Sequence, residues 1–407
     1  AGHQFGHFTM LGDGRAILIG ELLKPSGDRF DLQLKGSGPT PYSRNGDGRA
    51  TLASMLREYL ISEAMHHLGI PTTRSLAVVK TGENVIREMS NEGGVLTRIA
   101  SSHIRVGTFE YIKKFGNKDE LKSFTEYVIN RHYPELMESE NPALELLQTV
   151  MNKQVDLIVN WMRVGFIHGV MNTDNMSIAG ETIDYGPCAF MNSYHPLTVF
   201  SSIDRQGRYA FQNQPYIANW NLAVFGSTLL PLIDQDQNKA IEKAQNLLDG
   251  MKDIYFQRYN RMMCDKLGIY EPDEADMKLV EELLSWMQKH QADYTETFLQ
   301  IENTSDEKQD IYNGPEFNEW QAKWKEVIDR PVNRKKYRSL MLKNNPLVIP
   351  RNHLVEGVLS SAVYGNFEPF NNLVERLKAP YTPSEDDQIR QTVPAGFDQS
   401  YQTFCGT

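Results

Sequence analysis

Apolar and polar positions alternate clearly at the start of the chain. Residues 10–35 read as three short strands. The string Leu11-Gly-Asp-Gly-Arg15 makes a Gly-rich turn, residues 16–23 are mostly apolar, and Pro25-Ser-Gly-Asp28 makes a second turn. Over 30–35 the period is strictly two: Phe30, Leu32 and Leu34 share one side, and Asp31, Gln33 and Lys35 share the other. A long loop rich in Gly, Pro, Ser and Asn spans 36–48, a length usually kept for function or left disordered. The period then changes. Leu52, Met55, Leu56, Tyr59, Leu60, Ala64 and Leu68 recur at three- and four-residue steps, which predicts an amphipathic helix over 51–68 closed by Gly69 and Pro71. Glu58 borders its apolar stripe and is expected to face back toward the sheet.

Further strands are expected over 72–87, reversing at Thr81-Gly-Glu-Asn84. A second long helix over 142–164 leads into the loop that begins at His168. Residues 176–178 and 182–184 are expected to form a tight hairpin around Ala179-Gly-Glu181. Beyond about Tyr259 the chain becomes helical and acidic, and Met277, Val280, Leu284, Met287, Gln291, Tyr294 and Phe298 mark what reads as one helix. Strands first and helices later predict an α+β fold. It divides into a sheet-bearing unit over 1–90, a unit over 91–270 that carries the His168 loop, and a helical extension over 271–407.

Length and composition narrow the function classes. A chain of 407 residues can bury a two-lobed core, and 40% hydrophobic with 23% charged residues is ordinary for a globular protein. The net charge of −10 argues against nucleic acid as the main partner, because phosphate-backbone binding needs a basic footprint. No apolar run approaches bilayer-spanning length, so no membrane partner is expected. Three cysteines predict a reducing compartment, with a single regulatory disulfide as the alternative. The expected location is the cytoplasm in a bacterium or the mitochondrion in a eukaryote. The chain opens at Ala1 inside a motif and without Met, so a preceding segment, with any targeting signal, is expected.

The chemistry concentrates in His168-Gly-Val-Met-Asn-Thr-Asp-Asn175 and the following Asp184-Tyr-Gly186. This is the layout of a kinase catalytic loop and its metal-binding Asp. The base is missing: Val170 stands at its position and cannot accept a proton. Asp174 is the carboxylate in the loop that could take its place. Asn175 and Asp184 offer hard oxygen ligands suited to Mg²⁺ held largely by phosphates and water. Lys35 on a strand and Glu58 on the following helix have the order of the kinase Lys–Glu pair, against the plainer reading of two exposed charges. Gly12 and Gly14, and a second loop Asn45-Gly-Asp-Gly-Arg49, either admit phosphate oxygens to backbone N–H groups or make simple turns. Arg98 and Arg105, in one short segment, either recognise a polyphosphate or pack their stems on the core.

These segments together resemble the selenoprotein O family, also called YdiU proteins. The matching strings include Ala1-Gly-His-Gln-Phe-Gly6, Asp31-Leu-Gln-Leu-Lys-Gly-Ser-Gly38, Arg57-Glu-Tyr-Leu60, Gly69-Ile-Pro-Thr-Thr-Arg74 and Asp184-Tyr-Gly-Pro187. The likeness runs over nearly the whole chain. It implies a protein-kinase-like two-lobed fold with a helical C-terminal extension, binding ATP reversed in the cleft. The implied reaction transfers AMP from ATP to Ser, Thr or Tyr hydroxyls of protein substrates, releasing pyrophosphate, with Mg²⁺ (Mn²⁺ as an alternative) as cofactor. Gly12, Gly14, Arg15, Lys35, Asp47, Gly48, Arg98 and Arg105 fall on the family's nucleotide-binding positions, Asp174 on its proton acceptor, and Asn175 and Asp184 on its metal ligands. The resemblance further implies a disulfide between the near-terminal Cys405 and Cys188. The residues also admit an orthodox phosphotransferase in the same cleft, or a catalytically inactive nucleotide-binding scaffold.

Overall fold

The computed structural model describes residues 1–4, 6–12, 14–43, 46–303, 310–384 and 393–404. Strands β1 (Gly2–Gln4) and β2 (His7–Thr9) form a small hairpin. The main sheet begins with β3 (Ala16–Leu23) and β4 (Arg29–Lys35), antiparallel about the predicted turn. Short β5 (Ala50–Thr51) runs directly into α1 (Leu52–His67), where the Thr51 hydroxyl accepts from Ser54 N and caps the first turn. Strands β6 (Arg74–Ile86) and β7 (Ser90–Ala100) complete the sheet, and β7 pairs with β4, β5 and β6. This register places Gln33 opposite Arg98 and Lys35 opposite Leu96.

The period-two pattern of β4 holds, but its polar side is the covered one. Asp31, Gln33 and Lys35 are buried, while Phe30, Leu32 and Leu34 are half-buried. A buried polar face needs partners, and each residue has one. Asp31 accepts from His103 N at 2.7 Å and from Arg131 Nη2 at 2.6 Å. Against the opposing pull of burial, His103 and Arg131 hold its carboxyl at about 2. Because the folded value lies below the unfolded one, this stabilisation is complete above about pH 4 and fades as pH falls toward 2. Asp31→Asn should therefore cost about 2 kcal/mol at pH 7 and progressively less in acid, as read by urea unfolding at both pH values.

Helices build the rest: α2 (Val106–Phe115), α3 (Lys118–His132) and the long α4 (Pro142–Arg163), which matches its prediction. Strands β8 (Phe166–Ile167) and β9 (Ala189–Phe190) flank the His168 loop and pair with each other. Then come α5 (Gln214–Ile233), α6 (Gln237–Asp249), α7 (Met251–Lys266), α8 (Glu274–His290) and α9 (Tyr294–Gln300). The chain ends with α10 (Pro315–Ile328), α11 (Pro331–Arg334), α12 (Tyr337–Asn344), α13 (Asn352–Val363), α14 (Glu368–Leu377) and α15 (Phe397–Ser400). The fold is α+β. One continuous apolar core runs from α1 to α14. Because α13 and α14 cover α1 on the side away from the sheet, that helix is buried nearly all round rather than amphipathic.

Four further expectations change, and residues 10–35 carry two strands among the described residues, not three. Residues 81–84 do not reverse the chain: they form an irregularity within β6, where Gly82 takes φ +74° and the Thr81 hydroxyl bonds Glu83, and the reversal lies at 87–89. Residues 176–184 are not a hairpin, because Ser177 bridges to Arg105 and Thr182 to Thr72, so each arm pairs outward. The apolar stripe of 277–298 breaks into α8 and α9, since Gln291 turns left-handed at φ +51° and Asp293 caps the next helix. Finally, the stretch Phe211–Ile233 is long and apolar enough to cross a membrane by length and composition, although it packs here on α2, α4 and α6.

Candidate active site at the sheet and the His168 loop

Four charged side chains from four elements meet under the sheet. Lys35, the last residue of β4, donates to Glu58 Oε1 on α1 and to Asp184 Oδ1 at 2.6 Å. Arg98, from the neighbouring β7, donates through Nη2 to Glu58 Oε2 at 2.9 Å and to Asp184 Oδ1 at 2.6 Å, and through Nη1 to Gln33 at 3.3 Å. Lys35, Glu58 and Arg98 are only 5%, 3% and 2% exposed, so they are not the two solvent-facing charges of the plainer reading. Burial opposes ionisation of both carboxyls. The charges of Lys35 and Arg98 nevertheless hold Glu58 low, and those of Arg98, Lys35 and Arg105 hold Asp184 well below the usual carboxylate range. Asp184 adopts φ +65°, a left-handed conformation costly for a residue with a Cβ. Its two cationic partners and the anchored residue before it keep it there.

That anchor is His168. Its backbone N–H donates to Gln214 Oε1 at 3.0 Å, and its Nε2–H donates to Ile183 O at 2.9 Å. Burial lowers its pKa, and the ring, bonded at both nitrogens, serves as a fixed strut between the loop and Asp184. Tyr209 OH to Asn172 (2.6 Å) and Asn221 to Met171 O (3.0 Å) pin the middle of the loop. Val170 is buried and offers no proton-accepting side chain; its N–H donates to His168 Nδ1 at 3.4 Å, and its carbonyl accepts from Asn175 Nδ2 at 3.0 Å. With the amide so oriented, Asn175 Oδ1 accepts no hydrogen bond among the described residues.

Asp174 is the unusual group. It is 7% exposed, its Oδ2 accepts from Gln4 Nε2 at 3.1 Å, and its buried Oδ1 has no partner among the described residues. Burial raises its pKa; Arg105 pulls it down, and Asp184 lies near enough to push it up. Arg105 sits at the start of α2, bridged to Ser177, and acts on both Asp174 and Asp184. Its buried Nε has no partner among the described residues. The two arginines of the segment therefore differ: Arg98 is enclosed among carboxylates, and Arg105 is half-buried beside the loop.

The glycine turns have specific steric needs. At Gly12, with φ +51°, a Cβ would lie 2.4 Å from the Tyr42 ring, and at Gly48, with φ +63°, 2.0 Å from Gly38 O. The first turn and the 36–48 loop are thus packed together, with Gly36 N also donating to Arg15 O at 2.9 Å. Asp47 is held by Arg87 through both carboxylate oxygens, at 2.9 and 3.0 Å, and itself accepts from Arg49 N; the Arg87 hydrogen bonds hold its carboxyl at about 2. Cys188 is a buried thiol pushed up to about 12 by its burial, and Cys405 lies outside the described residues.

Asn175 and Asp184 fit a divalent cation whose remaining ligands are phosphate and water, the usual way Mg²⁺ is held. Among the described residues no cluster of three His, Cys, Asp or Glu side chains forms a protein-only metal cage. Sequence reasoning missed the residues around Asp174 on the other side: Gln4 and His3 from β1, and Glu110 and Thr173. The signal for Gln4 and His3 was the string Ala1-Gly-His-Gln-Phe-Gly6, read only as part of a family likeness.

Comparison with known proteins gives the family. The family model described as protein adenylyltransferase SelO matches residues 1–378. The chain is 54% identical to the protein nucleotidyltransferase YdiU of Shouchella clausii, covering 100% of this chain and 84% of that protein. It is 55% identical to the protein of the same name from Alkaliphilus metalliredigens (100% and 83% covered) and 53% to that from Pelagibacter ubique (100% and 84%).

Proposed function

The chain belongs to the SelO family and is a protein adenylyltransferase; we propose that it works in a protein-kinase-like cleft with the nucleotide reversed, and that Asp174 is its proton acceptor. The observation that most supports this is the buried oxygen of Asp174 that has no partner among the described residues, in the same loop whose usual base position is occupied by Val170. An unpaired buried carboxylate oxygen is costly unless a donor completes it, and an acceptor hydroxyl is such a donor.

In this reading a Ser, Thr or Tyr hydroxyl of a protein substrate gives its proton to Asp174 while its oxygen attacks the α-phosphorus of ATP. The bond from the α-phosphorus to the bridging oxygen breaks, and pyrophosphate departs with the electron pair. Arg105 and the Lys35–Arg98 pair supply fixed positive charge to the phosphates, and Glu58 holds that pair in place. Asn175 Oδ1 and the Asp184 carboxylate would hold Mg²⁺ or Mn²⁺, which when bound neutralises phosphate charge. The tight turns at Gly12, Gly14 and Gly48 would let backbone N–H groups approach the nucleotide.

ATP labelled separately at the α- and γ-phosphates tests the reading. Stable protein labelling from the α-position and none from the γ-position is expected. Labelling from the γ-position would replace the proposal with orthodox phosphotransfer, and labelling from neither would leave a scaffold.

A further inference from the structure

Gln4 provides the one side-chain hydrogen bond to Asp174 among the described residues, and the hairpin that carries it is firmly seated. His3 N donates to Thr173 Oγ1 at 2.6 Å, the His3 ring pairs with Glu110, and the Thr173 hydroxyl donates to the other oxygen of Glu110. Backbone contact is equally close. A Cβ on Gly2 would lie 2.7 Å from Thr173 Oγ1 and 2.9 Å from Asp174 N, and one on Gly107 would lie 1.9 Å from Ala1 O. The hairpin therefore sits against α2 and the 173–175 turn at a distance only glycine permits. Gln4 reaches Asp174 from a fixed base, not from a loose strand.

We propose that Gln4 is a positioning residue for AMP transfer: its amide clamps Oδ2 of Asp174, so that Oδ1 is presented to the acceptor hydroxyl. This rests on Asp174 being the proton acceptor. A neutral amide suits the task. An ammonium or guanidinium at the same place would form an ion pair and weaken the base, and a second carboxylate would share its proton. The charged groups acting on Asp174, Arg105 from the start of α2 and Asp184 from the opposite loop, do so across space without a hydrogen bond to it among the described residues. Among the described side chains, orientation is thus left to Gln4.

The test is a double-variant cycle on the whole chain, with kcat, KM for ATP and thermal stability measured for each protein. Gln4→Leu should lower kcat by about 10- to 100-fold, the range for a lost hydrogen bond to a charged group, with KM for ATP changed less than about twofold. Placed on Asp174→Asn, which has no base to orient, the same change should alter the residual rate less than about twofold. Gln4→Ala removes the donor without adding bulk and should repeat the result if Leu disturbs the hairpin. Wild-type kcat in both Gln4 variants overturns the proposal, as does an equal loss with and without Asp174, which would mark Gln4 as a support of the fold alone. Wild-type turnover in Asp174→Asn alone would overturn the base assignment itself, and the Gln4 role with it.

Discussion

Asp174→Ala should cut kcat for AMP transfer by about 10²–10⁴-fold, the usual contribution of a positioned general base, while ATP affinity stays near wild type. The separation follows from the geometry. Asp174 touches Gln4 and presents an oxygen unpaired among the described residues, whereas in the proposed reading the positive charge offered to the polyphosphate comes from Lys35, Arg98 and Arg105. Its removal takes away a proton acceptor and leaves those cations where they are. Single-turnover labelling from α-labelled ATP, together with equilibrium ATP binding, checks both halves. Wild-type turnover would mean that another group accepts the proton. A matching loss of ATP affinity would mean that Asp174 orders the nucleotide site instead.

The residues that proved legible in the sequence were those whose chemistry and period agree. The 3.6-residue pattern located α1 to within a residue or two, the second long helix expected over 142–164 lies there as α4, and the order of strand Lys35 and helix Glu58 foretold their contact. Period two in β4 separated its faces but could not say which one is covered. Hydrophobicity alone would bury Phe30, Leu32 and Leu34; pairing with His103, Arg131, Arg98 and Glu58 instead makes the polar side the better-covered one. Arg98 was ambiguous for the same reason, since its role depends on a register that puts it beside Lys35 under the sheet.

Local turn chemistry was read less well. Thr81-Gly-Glu-Asn84 has every mark of a reversal, yet β7 continues past it and the pattern becomes a bulge. The 277–298 stripe keeps its period across Gln291, so nothing in the hydrophobic pattern announced the left-handed break. Gln4 and His3 were visible only within a string that carries the family likeness, not through any pattern of their own. Their meaning lies in contact with Thr173 and Asp174, far along the chain, and no periodicity spans such a separation.

Removing Glu58 should do the most damage to the fold. Its carboxylate is enclosed and accepts from both Lys35 and Arg98, so Glu58→Ala leaves two buried cations to share Asp184. Breaking a buried ion network by deleting one partner typically costs about 3–5 kcal/mol. That is a large part of the total of roughly 5–15 kcal/mol that holds a typical domain together. Lys35 and Arg98 hold the Glu58 carboxyl below its unfolded value, so its stabilisation is complete above about pH 4.5 and is lost as pH falls through the folded value. Urea unfolding at pH 7 should therefore show the full deficit of the variant, and unfolding in increasingly acidic buffer should narrow it. Lys35→Met added to Glu58→Ala should restore part of the stability at pH 7, because one fewer cation is then left without its carboxylate. Equal stability of wild type and Glu58→Ala at pH 7 would show that packing of α1 between the sheet, α13 and α14, not this charge cluster, sets the position of the helix.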